Sequence, residues 1–195
     1  MYKRHEYLPT EADKLPEEPL RLAIGMYGGN IDFYDIKGVA DALLKTVRIY
    51  DCDYVRTSDS DAFDEASAFH PGRSAVILKD GKAIGILGEI HPDVAENYGI
   101  EVKVYAAKLN VPEMLKLSEK EVTYKPMPKF PATTRDLSLI CDDNLPAASI
   151  EKAIKKAAGK VLEKVTLFDV YKGKQIEEGK KSISYSISML SLIHI

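Results

Sequence analysis

Lys129-Phe130-Pro131-Ala132-Thr133-Thr134-Arg135-Asp136-Leu137-Ser138-Leu139-Ile140 divides the chain into two parts of different character. Pro126, Pro128 and Pro131 fix φ and push the residues before them toward extended backbone, so Tyr124 to Thr133 reads as a stiff connector. Lys125, Lys129 and Arg135 sit on it or just beyond it, and an alternating apolar strand follows from Arg135 to Cys141. A rigid, basic lead-in to a new β-element suits a separately folded module with an anionic partner. A surface linker with solvated lysines has the same composition.

Downstream, Pro146 opens a helix with Ile150, Ala153, Ile154, Ala157 and Ala158 on one face, ended by Gly159. Val161 to Tyr171 is a long strand and Lys172 to Lys180 a charged, glycine-bounded loop. Ser182 to Met189 alternates strictly, with Ile183, Tyr185, Ile187 and Met189 on one face and serines on the other. That period of two predicts a strand with one buried face and one wet or docked face. Tyr185 belongs with the buried isoleucines. On a regular strand Phe168 and Tyr171 face opposite sides, so at most one of them can join a surface on which bases stack.

Upstream of the connector, residues 1–19 are polar and proline-punctuated. Leu20 to Met26 predicts a short buried strand. Asp35 is the expected cap of a helix whose apolar face is Ile36, Val39, Ala40, Leu43, Leu44 and Val47. Ser74–Lys79 and Lys82–Glu89 flank Asp80-Gly81, a pair that favours a tight hairpin because both residues tolerate positive φ. Pro92 to Tyr98 predicts a short helix stopped by Gly99. Val102 to Leu109 predicts a strand and Pro112 to Leu117 a further helical turn. Residues 20–120 thus read as an α+β domain with a largely antiparallel sheet.

The chain has 195 residues, 45% hydrophobic and 29% charged, an ordinary globular composition with room for one large domain or two small ones. No apolar run reaches the ~20 residues of a membrane helix. Met1 to Glu6 has no apolar core behind it and does not read as a signal peptide. Cys52 and Cys141 lack ligand spacing and read as reduced thiols of a cytosolic protein. The net charge of −3 divides into +3 over residues 121–195 and −6 over residues 1–120. That asymmetry permits nucleic-acid contact by the second part only.

Candidate chemistry is sparse. His70 and His91 each precede proline and have no ligand-spaced companions, so they read as turn residues rather than metal ligands; His5 and His194 lie in the terminal segments. Asp59-Ser60-Asp61 with Asp64-Glu65 lacks the glycine and glutamate that a calcium loop needs and reads as a mobile, solvated acidic loop. Gly28-Gly29 and Pro71-Gly72-Arg73-Ser74 match neither a P-loop nor a dinucleotide fingerprint. Arg73 is suited to a carboxylate or phosphate, or to an ion pair locking its loop to the sheet or to a partner chain. Asp35, Glu89 and Asp169 read as cap, strand end and strand-end turn, and no catalytic residue is assigned.

Lys129 to Leu139, Phe168-Asp169-Val170-Tyr171-Lys172-Gly173 and Gly179 to Ser186 resemble the anticodon-binding module that ends the beta chain of bacterial phenylalanine–tRNA ligase. Asp32-Phe33-Tyr34-Asp35-Ile36-Lys37-Gly38, Phe69 to Ala75 and Gly85 to Pro92 are similar to the catalytic-like domain of the same chain, and the blocks fall in family order. The resemblance implies an antiparallel-sheet, class II synthetase-like domain over residues 1–120 and a proline-rich basic linker over 121–133. An incomplete ferredoxin-like module follows over 134–189, with the β-α-β-β part present and one more helix and strand missing, and residues 190–195 form an unmatched tail. The chain is thereby expected to be a C-terminal fragment, cut at both ends. Isolating the strand Ser182 to Met189 from its neighbours would expose apolar surface and an unpaired edge.

Function follows as an expectation of the same kind. The chain would supply an alpha-chain docking scaffold and tRNA anticodon-stem binding to a cytoplasmic heterotetramer of two alpha and two beta chains. The assembled ligase uses ATP and magnesium, with neither bound by this chain and no metal site of its own. Lys125, Lys129, Arg135, Lys172, Lys174, Lys180 and Lys181 are the expected RNA contacts, on one backbone track if the loop after the second strand folds back beside the sheet edge. Phe33, His70 and Arg73 are expected at a partner interface or in structural roles. Thr134 stands where many relatives carry a second basic residue, which weakens the carry-over of an RNA contact there. The competing readings are a protein-interaction scaffold and a free-standing RNA-binding module without a ligase role.

Overall fold

The computed structural model describes residues 7, 8, 10, 14–119, 121, 124, 132–173 and 175–190. The chain divides into two compact units, Met1–Val122 and Thr123–Ile195. Most of the expected connector and of the tail falls outside the described residues, and with them His5, Lys125, Lys129, Lys174 and His194.

The first unit is built on a five-stranded antiparallel sheet of order β1-β5-β4-β3-β2. Its strands are β1 (Arg21–Tyr27), β2 (Asp53–Arg56), β3 (Phe69–Lys79), β4 (Lys82–Ile90) and β5 (Val104–Asn110); its helices are α1 (Phe33–Thr46), α2 (Pro92–Asn97) and α3 (Val111–Leu117). Helix α1 is capped by Asp32, not by Asp35 as the sequence suggested. Asp32 Oδ1 accepts the Tyr34 and Asp35 amides at 2.7 and 3.2 Å, and Asp35 Oδ2 accepts the Asp32 amide at 2.7 Å. Both residues are therefore used, as the two halves of a capping box that satisfies otherwise orphaned amides. Ile36, Ala40 and Leu44 are fully buried, Leu43 and Val47 flank them, and Val39 stays exposed. The stripe meets Ile77, Ile84, Leu87, Ala107 and Leu109 of the sheet.

The other face of that sheet carries Val76 and Ile86. It is covered by the segment between β2 and β3, which makes two short 3-10 turns, Thr57–Asp59 and Asp64–Ala68. The acidic stretch expected to be mobile and solvated thus has structure: Phe63, Ala66 and Ala68 pack on the sheet, and Glu65 pairs with Lys108 of β5. Its apolar residues, interleaved with the acids, are what draw it down.

The hairpin turn is where the sequence put it, with Asp80 at φ 50° and Gly81 at φ 76°. Strand β3 begins earlier than its apolar run. Phe69 pairs with Ile90 and the next partners are Ser74 and Gly88, so His70 to Arg73 bow out opposite the single residue Glu89. Gly88 makes this crossing possible. It sits at φ +153°, and a Cβ there would lie 2.5 Å from the Arg73 carbonyl oxygen and from Ser74 Cα.

The second unit contains β6 (Ala132–Asp142), α4 (Ala147–Ala158), a 3-10 turn (Gly159–Val161), β7 (Leu162–Tyr171) and β8 (Lys180–Leu190). The sheet order is β6-β8-β7, every pairing antiparallel. Helix α4 lays Ala147, Ile150 and Ile154 on a face formed by Leu139, Cys141, Val165, Ile183, Tyr185 and Ile187. Ala153 and Ala157, read as core from their spacing, are exposed. Tyr185 is completely buried, and its hydroxyl donates to the Ala147 carbonyl at 2.8 Å, tying the centre of the sheet to the first turn of the helix.

Two expectations change here. Strand β8 is paired along both edges, so the isolated, unpaired strand foreseen at Ser182–Met189 does not arise; the outer edges among the described strands belong to β6 and β7. Strand β7 is also irregular. Leu167 pairs with Tyr185 and Asp169 with Ser184, so Phe168 and Asp169 together oppose one residue. The bulge cancels the alternation, and Phe168 and Tyr171 come to the same side of the sheet.

Candidate nucleic-acid interface

Lys172 follows β7, while Lys180 and Lys181 open β8, where the register sets them opposite Asp142 and Cys141 of β6. The sheet thus gathers three of the expected RNA contacts at one end. Arg135 is not among them. It sits opposite Ile187, and the six steps from residue 135 to residue 141 along an extended strand span roughly 20 Å. Lys125, Lys129 and Lys174 lie outside the described residues.

Each of the three lysines has an oxygen partner. Lys172 forms an ion pair with Asp143, Lys180 meets Glu177 at 2.6 Å, and Lys181 donates to the Asp143 carbonyl at 2.6 Å. The hydrogen bond from Lys172 holds the Asp143 carboxyl below its usual range. Lys180 does the same for Glu177, which in return raises the amine. The Lys172–Asp143 and Lys180–Glu177 side chains are largely exposed, where such pairs are weak and exchangeable, whereas the Lys181 bond is half-buried. An anion arriving at this end would have to displace a carboxylate at Lys172 or Lys180. The arrangement suits binding that falls steeply with salt.

Sequence reasoning passed over one feature and misread another. Helix α4 exposes Lys152, Lys155 and Lys156 on its outer side, a spacing of three and four that was legible but was subordinated to the helix's apolar face. Lys155 pairs with Glu151 at 2.9 Å. The sheet face turned away from α4 was foreseen as wet or docked, but Phe168 and Tyr171 were placed on opposite sides of the sheet, as a regular strand without the register shift between Leu167 and Asp169 would have them.

In the first unit, Arg73 Nη1 lies 3.1 and 2.9 Å from the two oxygens of Glu89, whose side chain is buried, and Tyr105 donates its hydroxyl to the same carboxylate at 3.3 Å. Burial and the adjacent Glu89 charge push the Tyr105 phenol upward. The bow in β3 therefore delivers Arg73 to a carboxylate on the neighbouring strand. His70 accepts the Gly72 amide at 3.1 Å, and its carbonyl accepts the Ser74 hydroxyl at 2.7 Å. His91 accepts the Asp93 amide at 3.3 Å as the cap of α2. Phe33 packs beside the core and meets Tyr34 edge-on at 5.6 Å. No group of three or more His, Cys, Asp or Glu side chains among the described residues is placed to hold a metal. Cys52 lines a recess with Asp41, Leu44 and Tyr50, and burial raises its thiol away from reactive values. No helix among the described residues is long and apolar enough to cross a membrane.

Two family models match this chain in succession. Residues 5–111 match the phenylalanyl tRNA synthetase beta chain CLM domain, and residues 128–193 match the ferredoxin-fold anticodon binding domain. Among curated relatives, the phenylalanine–tRNA ligase beta subunit of Clostridium tetani is 46% identical over 93% of this chain and 22% of its own length. That of Clostridium acetobutylicum is 41% identical over the same shares, and that of Bacillus subtilis 32% identical over 95% of this chain and 24% of its own length. The chain thus spans about a fifth to a quarter of the relatives it matches. With antiparallel sheets in both units and the two matches in order, the chain belongs to the phenylalanyl-tRNA synthetase beta chain family.

Proposed function

We propose that this chain serves as part of the beta subunit of a phenylalanine–tRNA ligase, contributing an alpha-chain docking scaffold and a grip on tRNA. In this reading residues 1–120 form a class II synthetase-like domain without synthetase chemistry, and residues 121–133 a basic linker. Residues 134–189 are the anticodon-binding module, followed by the tail 190–195. The assembly would be a cytoplasmic heterotetramer of two alpha and two beta chains that joins phenylalanine to tRNA with ATP and magnesium. Arg135, Lys172, Lys180 and Lys181 would contact phosphates, with Lys125, Lys129 and Lys174, while Phe33, His70 and Arg73 would order or line the alpha-facing side.

The observation that carries this reading is the order of the two domain matches along one chain, the second ending in a sheet with lysines gathered at one end. Binding of a tRNA transcript to the chain over a series of salt concentrations tests it. Affinity should fall linearly on logarithmic axes, and Lys172→Ala and Lys181→Ala should each flatten the slope by about 0.9. Failure to bind tRNA at low salt would favour a protein-interaction scaffold.

A further inference from the structure

The bow of β3 carries an arginine that is only half engaged. His70 to Arg73 stand opposite the single residue Glu89, and Gly88 at φ +153° gives them room. The bow is ordered from within. His70 Nδ1 accepts the Gly72 amide at 3.1 Å, and the His70 carbonyl accepts the Ser74 hydroxyl at 2.7 Å. Bulges re-aim side chains and are common beside functional surfaces. The side chain aimed here is Arg73. One of its nitrogens, Nη1, meets both oxygens of Glu89, at 3.1 and 2.9 Å. The Glu89 side chain is 4% exposed and also accepts the Tyr105 hydroxyl at 3.3 Å.

An arginine that did no more than lock the bow to the sheet would set two parallel N–H groups against the carboxylate, the fork-to-fork geometry that fixes such a pair best. Here a single nitrogen takes both oxygens. Nε and Nη2 have no partner among the described residues, and the arginine is 50% exposed while its anchor is buried. The guanidinium is thus held by one corner and leaves its other N–H groups to be met from solvent. A planar oxyanion is the ligand that such a fork fits.

The surroundings choose between the two common oxyanions. Residues 1–120 carry a net charge of −6, which repels a polyanion such as RNA over the whole unit. A single carboxylate on a partner protein meets that field only within the screening length of ~8–10 Å, where a charge-assisted pair holds it. We propose that Arg73 bridges two carboxylates, Glu89 of its own sheet and an aspartate or glutamate of the alpha chain, which makes the bow a docking point between the chains. Tyr105 supports the bridge by taking part of the Glu89 charge in its hydrogen bond. The inference rests on the alpha-chain docking reading and adds to it the residue and the chemistry of one contact.

The test is binding of the alpha chain of the same ligase to the 195-residue chain, followed by surface plasmon resonance, with urea denaturation of each variant alongside. Arg73→Lys keeps a cation for Glu89 but loses the fork. Its urea midpoint should stay near that of the parent, while association weakens about 10- to 150-fold, chiefly through faster dissociation. Arg73→Met removes both contacts and should lose affinity and stability together. Glu89→Gln still accepts from Arg73 but leaves the arginine's charge to the partner, so it should bind no more weakly than the parent. Parent-like binding by Arg73→Lys would make the arginine a lock alone and overturn the bridge, with the docking reading intact. A parallel fall of affinity and stability in Glu89→Gln would overturn it too, even if Arg73→Lys had loosened the fold. A parent chain that does not bind the alpha chain would remove the docking reading and the bridge with it.

Discussion

The two sheets of this molecule are clothed differently. In Met1–Val122, α1 covers one face and the segment of 3-10 turns the other; in Thr123–Ile195, α4 covers one face and the opposite one presents serines, threonines and exposed aromatics. The strands record the difference. Strand β4 is buried without interruption from Ile84 to Glu89, and its sequence is accordingly a near-continuous apolar run. Strand β8 sends Ile183 and Tyr185 into the core and keeps serines on the other side. A run buried on both faces builds scaffold, whereas strict alternation leaves a surface free to recognise something.

Substitutions can break or sharpen that contrast, and the largest effect should come from the covered side of the second sheet. Tyr185→Ala removes the largest fully buried side chain of the unit and its bond to Ala147. It should cost about 3–5 kcal/mol in urea denaturation, against no more than about 0.5 kcal/mol for Phe168→Ala on the exposed side. Comparable losses for the two would mean that both faces are packed. Next comes Gly88→Ala, where the new methyl meets backbone at a positive φ. A loss of roughly 2–4 kcal/mol confined to the first unit is expected, together with disruption of the Arg73–Glu89 pair. A neutral outcome would show that the bow in β3 is not needed.

The smallest effect is electrostatic. The hydrogen bond from Lys108 lowers the Glu65 carboxyl below its ordinary 4.5. A depressed carboxyl stabilises the fold above its unfolded pKa, and that contribution is lost as pH falls through the lowered folded value. Below about pH 4.5 the parent should therefore lose stability slightly more steeply than Lys108→Met, by an amount limited by the solvent exposure of the pair. Thermal melts from pH 3 to 6 measure the two slopes; identical slopes would detach Glu65 from the cover over the second face.

Much of this architecture was legible in local sequence. The Asp80-Gly81 turn, the period-two run of β8 and the glycine stops at Gly99 and Gly159 each act within a few residues, and each lies where the pattern placed it. What eluded the sequence depends on distant partners. Asp35 looked like the cap because it precedes the apolar stripe, but Asp32 takes that position once the first turn includes Phe33. The central place of β8 is decided by pairing with β6, some 40 residues away, to which local alternation is blind. The bulge at Phe168 leaves no compositional mark, since neither glycine nor proline stands there. The lysines were found but their partners were not: Asp143 reaches Lys172 only after β6 and β7 have joined one sheet.

Hydrogen–deuterium exchange of the chain with and without a tRNA transcript tests the division of labour most directly. The account predicts slowed exchange in β7, β8 and the turn around Asp143, with β3, β4 and α1 unchanged. Protection concentrated in Met1–Val122, with the second sheet unaffected, would contradict it.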